Sequence, residues 1–338
     1  MREPAIPMTQ SRSDNLPRIP LRRVGGMVGL LEAERGRLNA LIAAAERSYP
    51  RSVIALGDRL SRRWLEKSAN PYLAEIETVD QVLGRPGAFF LNLSYEWACT
   101  CSVGPTPDGS ASRLTRVLDW PFDGLGAQII AARQSGPAGE WINLTWPGFT
   151  GSIQGCAPGR FAAAFNQAPL RRRTLSRIVD WGLDRFGFWG RRALPPAHLL
   201  RQVFERARDF AEAKAQLMQS PLAMPAIFSL CGTEPGEQAV IERLEHKAAV
   251  HEGPQVAANH WLGPMPRARS RGTDSEGRAR LMGSMAPEAG PDLAWLKPPV
   301  LNETTRLALY AEPASGRLVA QGFEADGPAT AVTELLPG

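Results

Sequence analysis

The sequence predicts an α+β fold in which two stacked antiparallel sheets lie between helical layers, preceded by an N-terminal helical segment. Three observations carry the prediction. A block of short β-branched or apolar runs begins near residue 88, a helical block interrupts it near residue 174, and strand-like runs return from residue 226 to the C-terminus. Nothing repeats along the chain at a fixed period, so a solenoid or propeller is excluded.

The elements follow in order. Residues 1–25 are rich in Pro, Arg and polar residues without periodicity, and read as a loose leader. In VGLLEAERGRLNALIAAAERSY, Leu30, Leu31, Leu38, Leu41 and Ile42 recur at helical spacing. RSVIALGDRLSRRWLEKSA repeats the amphipathic pattern, so residues 26–98 form a helical N-terminal segment whose helices end at the GRPG turn. Residues 99–338 form the main domain. Its first strands are AFFLNLSYEWACTCSV, SRLTRVLDW, AQIIAARQ, EWINLTWPG, TGSIQG and GRFAAAFNQ, separated by the turn-formers PTPDGS, SGPAG and CAPG. TLSRIVDWGLDRFGFWGRR and PPAHLLRQVFERARDFAEAKAQLMQS carry helix periodicity, and Pro195–Pro196 suits a helix start. AIFSLCG, QAVIERLEH, KAAVHEG, QVAANHW, TRLALYAEP and RLVAQGFE return to strands.

Composition narrows the function. The 338 residues, 43% of them hydrophobic, can bury a sizeable core. The net charge of +5 is too small and too scattered to argue for a nucleic-acid partner. No apolar run approaches the roughly 20 residues of a membrane helix, and the N-terminus lacks the apolar core of a secretory signal; a soluble, cytoplasmic protein is the expectation. The four cysteines are too few for a disulfide framework, and with four scattered histidines they make no zinc pattern. No metal or other cofactor is expected.

Two of those cysteines, Cys99 and Cys101, stand one residue apart at the start of a strand. On an extended strand both side chains point the same way. The PTPDGS turn makes the following run a return strand, which brings Arg116 and Asp119 alongside them. That pattern offers a nucleophilic thiol, a cation to stabilise its thiolate and a carboxylate to hold a nearby ammonium group.

The stretch NLSYEWACTCSVGPTPDGSASRLTRVLDWPF resembles the N-terminal nucleophile hydrolases of the cholylglycine hydrolase superfamily, in particular their acid ceramidase and N-acylethanolamine acid amidase branch. The resemblance lies in a Cys-Thr start, in Arg116 and Asp119 spaced by two residues, and in LNLSYE, which is similar to the end of that branch's propeptide. GFTGSIQGCAPGRFAAAFNQ and AANHWLGPMPRARSRGTDSEGR extend it over roughly residues 88–278. It implies an αββα sandwich, with Asn166 and Asn259 as oxyanion donors and Arg271 as a distal arginine. It also implies autocatalytic cleavage before the nucleophilic cysteine, whose new α-amino group serves as base, with an ordinary pKa near 8. Strand length favours Cys99 as the nucleophile; spacing from LNLSYE favours Cys101; we take Cys99.

The expected activity is hydrolysis of a linear amide bond of an N-acylated, fatty-acyl amine through a thioester. The alternatives are transfer of the same acyl group to an amine acceptor, and a non-catalytic lipid-binding module. Residues 170–192 combine apolar side chains such as Ile178, Trp181, Phe186 and Trp189 with arginines, a composition suited to peripheral contact with a lipid surface or to covering an acyl groove.

Overall fold

The computed structural model describes residues 16–25, 27–93 and 97–335. The first fifteen residues of the expected leader lie outside them. The remainder of that leader is not loose: β1 (Leu21–Arg23) pairs in parallel with a later strand, and Ile19 is buried. A three-residue backbone ladder and one apolar anchor suffice to dock a short stretch that has no periodicity to betray it.

The N-terminal helices form as their spacing predicts. They are α1 (Met27–Ala33), α2 (Arg35–Ser48), α3 (Arg51–Lys67) and α4 (Leu73–Leu83). In α3 the buried set Ile54, Asp58, Ser61, Trp64 and Leu65 traces one face of a 3.6-residue period. Helix α4 ends on Gly84 in the left-handed region (φ 65°), where a side chain would be strained.

The strand expected from residue 88 begins ten residues later. Ala88–Leu93 is instead a helix, α5. Its first turn is capped from a distance: one carboxylate oxygen of Asp58 accepts the N–H groups of Gly87, Phe89 and Phe90 at 3.0, 2.9 and 3.0 Å. A contact across about thirty residues overrides the apolar run's strand propensity.

The strands of the main domain then follow: β2 (Ala98–Pro105), β3 (Ser112–Asp119), β4 (Ile130–Gly136), β5 (Gly139–Thr145), β6 (Gln154–Ala157), β7 (Phe161–Gln167) and the short β8 (Leu170–Arg171). Three helices follow: α6 (Arg177–Trp189), α7 (Pro196–Arg206) and α8 (Phe210–Gln219). The last two were expected as one run. They separate because Ala207 is extended and Asp209 caps α8, accepting the Glu212 N–H at 2.8 Å. Next come β9 (Ala226–Cys231), β10 (Gln238–Arg243), β11 (Ala248–Glu252), β12 (Gln255–Ala257), β13 (Ala268–Arg269), helix α9 (Ser275–Met285), β14 (Thr305–Glu312), β15 (Arg317–Glu324), β16 (Gly327–Pro328) and β17 (Thr333–Glu334).

Two sheets result. One runs β1-β4-β5-β6-β7-β9-β10-β11, antiparallel except at its β1 edge; the other runs β12-β2-β3-β14-β15-β16, with β17 beside β15. The sheets face each other across one apolar layer containing Cys99, Cys101, Leu118, Cys156, Ala162 and Cys231. Helix α7 covers the outer face of the first sheet through Leu200, Val203 and Phe204, and α9 covers the second through Met282 against Val117, Ala308 and Tyr310. The predicted αββα layering is the observed one.

The N-terminal helices join this sandwich by specific contacts. Trp64 stacks on Phe188 at 4.2 Å and donates its indole N–H to the carbonyls of Phe188 and Arg191. Arg201 forks onto Glu75 at 2.6 and 2.7 Å, a bidentate pair. No described helix is long and apolar enough to cross a membrane.

Candidate active site

The β2–β3 hairpin sets the geometry. Gly109 (φ 73°) makes the tight turn, and Thr106 N–H donates to Ala111 C=O at 2.9 Å. The register then pairs Ala98 with Asp119, Cys99 with Leu118 and Cys101 with Arg116. Because side chains alternate along a strand, Cys99, Cys101 and Arg116 face the space between the sheets, whereas Thr100 and Asp119 face α9.

Between the sheets, Arg116 organises the thiol. Its Nη2 donates to Cys99 Sγ at 2.8 Å and to Phe165 C=O at 2.9 Å, and its Nη1 donates to Asn166 Oδ1 at 3.0 Å. Asn166, expected as an oxyanion donor, spends both amide protons on the carbonyls of Ala257 and Ala258, each at 3.1 Å. It supports Arg116 and pins the segment that leads to Asn259. Asn259 is the asparagine in contact with Cys99: its Oδ1 accepts the Cys99 N–H at 2.8 Å, and its Nδ2 donates to Gln167 C=O at 2.8 Å.

On the outer face lies a residue the sequence reading missed, Arg278. Its Nη1 donates to Thr100 Oγ1 at 2.7 Å and to Asp119 Oδ2 at 3.3 Å, and its Nη2 reaches Asn259 Oδ1 at 3.3 Å. The other oxygen of Asp119 accepts from Thr305 Oγ1 at 2.9 Å and Asn302 Nδ2 at 3.2 Å. Arg271, expected in the distal-arginine position, donates Nε to Ala168 C=O and lines the cleft that also borders Ala98, Asp119 and Arg278. Arg278 stands on α9, whose helical signal is weakened by Gly277 and Gly283; Asp274 caps it by accepting the Gly277 N–H at 2.9 Å. An Asp followed closely by Glu276 was the one available signal.

Ser275, also missed, braces the same asparagine. Its Oγ accepts the Asn259 backbone N–H at 2.8 Å and lies 2.9 Å from His260 Nδ1.

Electrostatics favour the protonated form of these buried groups. Burial pushes the Cys99 thiol up to about 12, against the pull of Arg116; the Asp119 charge adds to the rise and Arg278 opposes it. Burial likewise raises Cys101 to about 11. Burial holds the Asp119 carboxyl above its ordinary range, although Arg278, Thr305 and Asn302 pull the other way. No cluster of three or more metal-ligating side chains occurs among the described residues.

Two clefts meet at Pro121. One, of about 350 Å³, borders Ala98, Asp119, Arg278, Asn302, Arg177 and Arg271. The other, of about 730 Å³, is an apolar groove between α3 and α6, lined by Tyr49, Val53, Leu56, Phe90, Trp181 and Phe186.

No protein-family model matches the chain. It is 29% identical over 96 residues to an acid ceramidase of Balaenoptera acutorostrata scammoni, covering 28% of this chain and 23% of that protein. It is 25% identical over 181 residues to an N-acylethanolamine-hydrolyzing acid amidase of Cavia porcellus, covering 51% of this chain and 48% of the relative. The chain thus matches a quarter to a half of the length of these curated relatives. A Caenorhabditis elegans N-acylethanolamine-hydrolyzing acid amidase ortholog superposes with a TM-score of 0.52 at 19% identity, covering 70% of this chain and all of that one. The chain therefore has the αββα fold of the N-terminal nucleophile hydrolases, and its similarity within the cholylglycine hydrolase superfamily is to the acid ceramidase and N-acylethanolamine acid amidase branch.

Proposed function

We propose that the chain is a self-processing cysteine amidase whose nucleophile is Cys99. The observation that carries the reading is the double hold on one residue: Arg116 Nη2 on its sulfur and Asn259 Oδ1 on its nitrogen, each at 2.8 Å. In processing, Cys99 Sγ attacks the Ala98 carbonyl, the C–N bond to Cys99 breaks, and the nitrogen takes a proton to become an amine. Water then hydrolyses the Ala98 thioester, which leaves Cys99 as a new N-terminus. The Asn259 carbonyl oxygen that accepts the amide proton in the intact chain serves equally well to orient the amine.

Turnover of an N-acyl amine repeats the chemistry. The α-amine, with an ordinary pKa near 8, takes the thiol proton and returns it to the leaving nitrogen. Arg116 favours the thiolate. Asn259 Nδ2, whose second proton meets no acceptor among the described residues, is the candidate oxyanion donor, and loss of such a donor costs about 3 kcal/mol of barrier. Asp119 and Arg278 position Thr100, Asn259 and the new terminus from the outer face. Arg271 has no role in the bond-making step in this reading.

The acyl group is fatty. The apolar groove between α3 and α6 opens beside Pro121, next to the reacting bond. Around it Leu175, Ile178 and Phe186 are 89%, 81% and 72% exposed, joined by Leu56 and Trp181. Such a patch supports peripheral attachment to a lipid surface. A cytoplasmic setting is part of the proposal, and four unpaired thiols suit it.

The test is mass spectrometry with N-terminal sequencing of the purified full chain. A new N-terminus at Cys99, and release of free fatty acid from an N-acyl amine by the cleaved form, are the expected results. A chain that remains intact under all conditions overturns the reading.

A further inference from the structure

A single buried hydroxyl joins the support of Cys99 to a histidine that the bond-making steps do not use. Ser275, the first residue of α9, is 3% exposed. Two consecutive residues of the segment after β12 converge on its Oγ: the backbone N–H of Asn259 at 2.8 Å and the ring Nδ1 of His260 at 2.9 Å. Asn259 in turn accepts the Cys99 N–H on its Oδ1 at 2.8 Å. The contacts therefore run from imidazole to hydroxyl to asparagine to the nitrogen of Cys99.

Proton counting fixes how this relay of contacts can work. A serine hydroxyl has one proton to give and two lone pairs to receive. The Asn259 N–H takes one lone pair. With His260 neutral and its own proton on Nε2, the hydroxyl proton goes to the bare Nδ1 and every group is matched. That donation also makes Oγ a better acceptor for the Asn259 N–H. With a proton on Nδ1, both neighbours are donors to one oxygen, and the hydroxyl proton has no third partner among the described residues.

The charges that face the ring come from two elements, Glu276, Arg278 and Arg280 on α9 and Glu242 on β10. They are two of each sign and largely offset one another. Burial is the largest influence and holds the imidazole below its ordinary pKa of 6.5, so the neutral ring prevails at neutral pH. Resting on the amidase reading, we propose that neutral His260 is a positioning residue: by taking the Ser275 proton it sets Asn259, and through Asn259 the nitrogen of Cys99. No covalent step passes through the ring.

The experiment is a double-mutant cycle with a pH series on the full chain, reading cleavage before Cys99 and then turnover of N-octanoylethanolamine by the processed form. H260L offers no acceptor and is expected to slow both about fivefold, in kcat with KM unchanged, since one internal hydrogen bond supplies about that factor. H260N presents a carbonyl oxygen that does not titrate and restores most of the rate. S275A and S275A/H260L are equally slow, because His260 then has nothing to act through. The ratio of the parent rate to the H260N rate cancels the other titrating groups; it is level above pH 6.5 and falls below it as the ring gains its second proton. In uncleaved C99A, the ring nitrogen-15 shifts of neutral His260 place the proton on Nε2. An H260L rate equal to that of the parent, additive losses in S275A/H260L, a ratio that stays flat from about pH 7 to about pH 4, or a neutral ring protonated on Nδ1 overturns the proposal. A parent chain that is never cleaved overturns the amidase reading and this proposal with it, whereas a cleaved parent indifferent to His260 overturns this proposal alone.

Discussion

Arg116 Nη2 lies 2.8 Å from Cys99 Sγ, although the strand register places Arg116 directly opposite Cys101. The guanidinium reaches along the hairpin by one residue pair, and with that reach the two same-facing thiols become distinct. C99A is expected to abolish both chain cleavage and amide turnover. C101A removes a buried small apolar group and is expected to cost stability, about 1 kcal/mol, while cleavage persists. Electrophoresis of the two purified variants separates the outcomes, and cleavage of C99A would transfer the nucleophile to Cys101.

Arg278 ties Asp119, Thr100 and Asn259 into one unit and is almost fully buried. R278A leaves a buried carboxylate unpaired, so a stability loss of about 3–5 kcal/mol is expected together with loss of processing. D119N keeps the shape and removes the charge, and should slow processing with a smaller stability loss. Urea denaturation and cleavage time courses on both variants check this; normal processing by R278A would remove the residue from the site.

Ser275 bears on Cys99 through Asn259. S275A removes the acceptor of the Asn259 backbone N–H and is expected to slow processing about tenfold, whereas S275T retains the hydroxyl and restores most of the rate. An S275A rate equal to that of the parent protein would sink this role.

His198 is fully buried, and burial together with the Arg201 charge pushes its pKa down to about 3. Its Nδ1 accepts from Asn70 Nδ2 at 2.9 Å, so the ring proton sits on Nε2 beside Thr150 Oγ1 at 3.1 Å. The unfolded chain binds this proton near pH 6.5 and the folded chain does not until about 3, so stability is intact above 6.5 and falls with decreasing pH between those limits. The slope approaches about 1.4 kcal/mol per unit. Because Asn70 belongs to the N-terminal segment and His198 to α7, acid should loosen that segment first. Thermal melts of the parent and H198Q between pH 7 and 4 check the sign; parallel pH profiles would contradict it.

The exposed face of α6 predicts lipid contact that depends on apolar side chains. I178E and F186E together should reduce co-sedimentation with lipid vesicles at least fivefold without changing the melting temperature by more than a few degrees. Unaltered sedimentation would return the patch to a purely soluble role.

The sequence by itself determined the layer order, the hairpin and the pairing of a cysteine with Arg116 and Asp119, because these rest on local signals. Alternation fixes which side chains share a strand face, and PTPDGS fixes the return. Tertiary structure decided the rest. Asp58 turned a strand-like run at Ala88 into a helix by accepting three backbone N–H groups across thirty residues, and a buried Ile19 docked a stretch that periodicity could not register. Arg278 reaches Asp119 and Asn259 from α9, which contains two glycines and shows little helical signal, yet packs its inner face on Val117 and Tyr310. Asn166 and Asn259 look alike in sequence; only the folded chain shows that carbonyls of the β12 segment consume both amide protons of the first while the second holds the nitrogen of Cys99. Such choices depend on which groups meet across long stretches of chain, and residue order carries no local imprint of them.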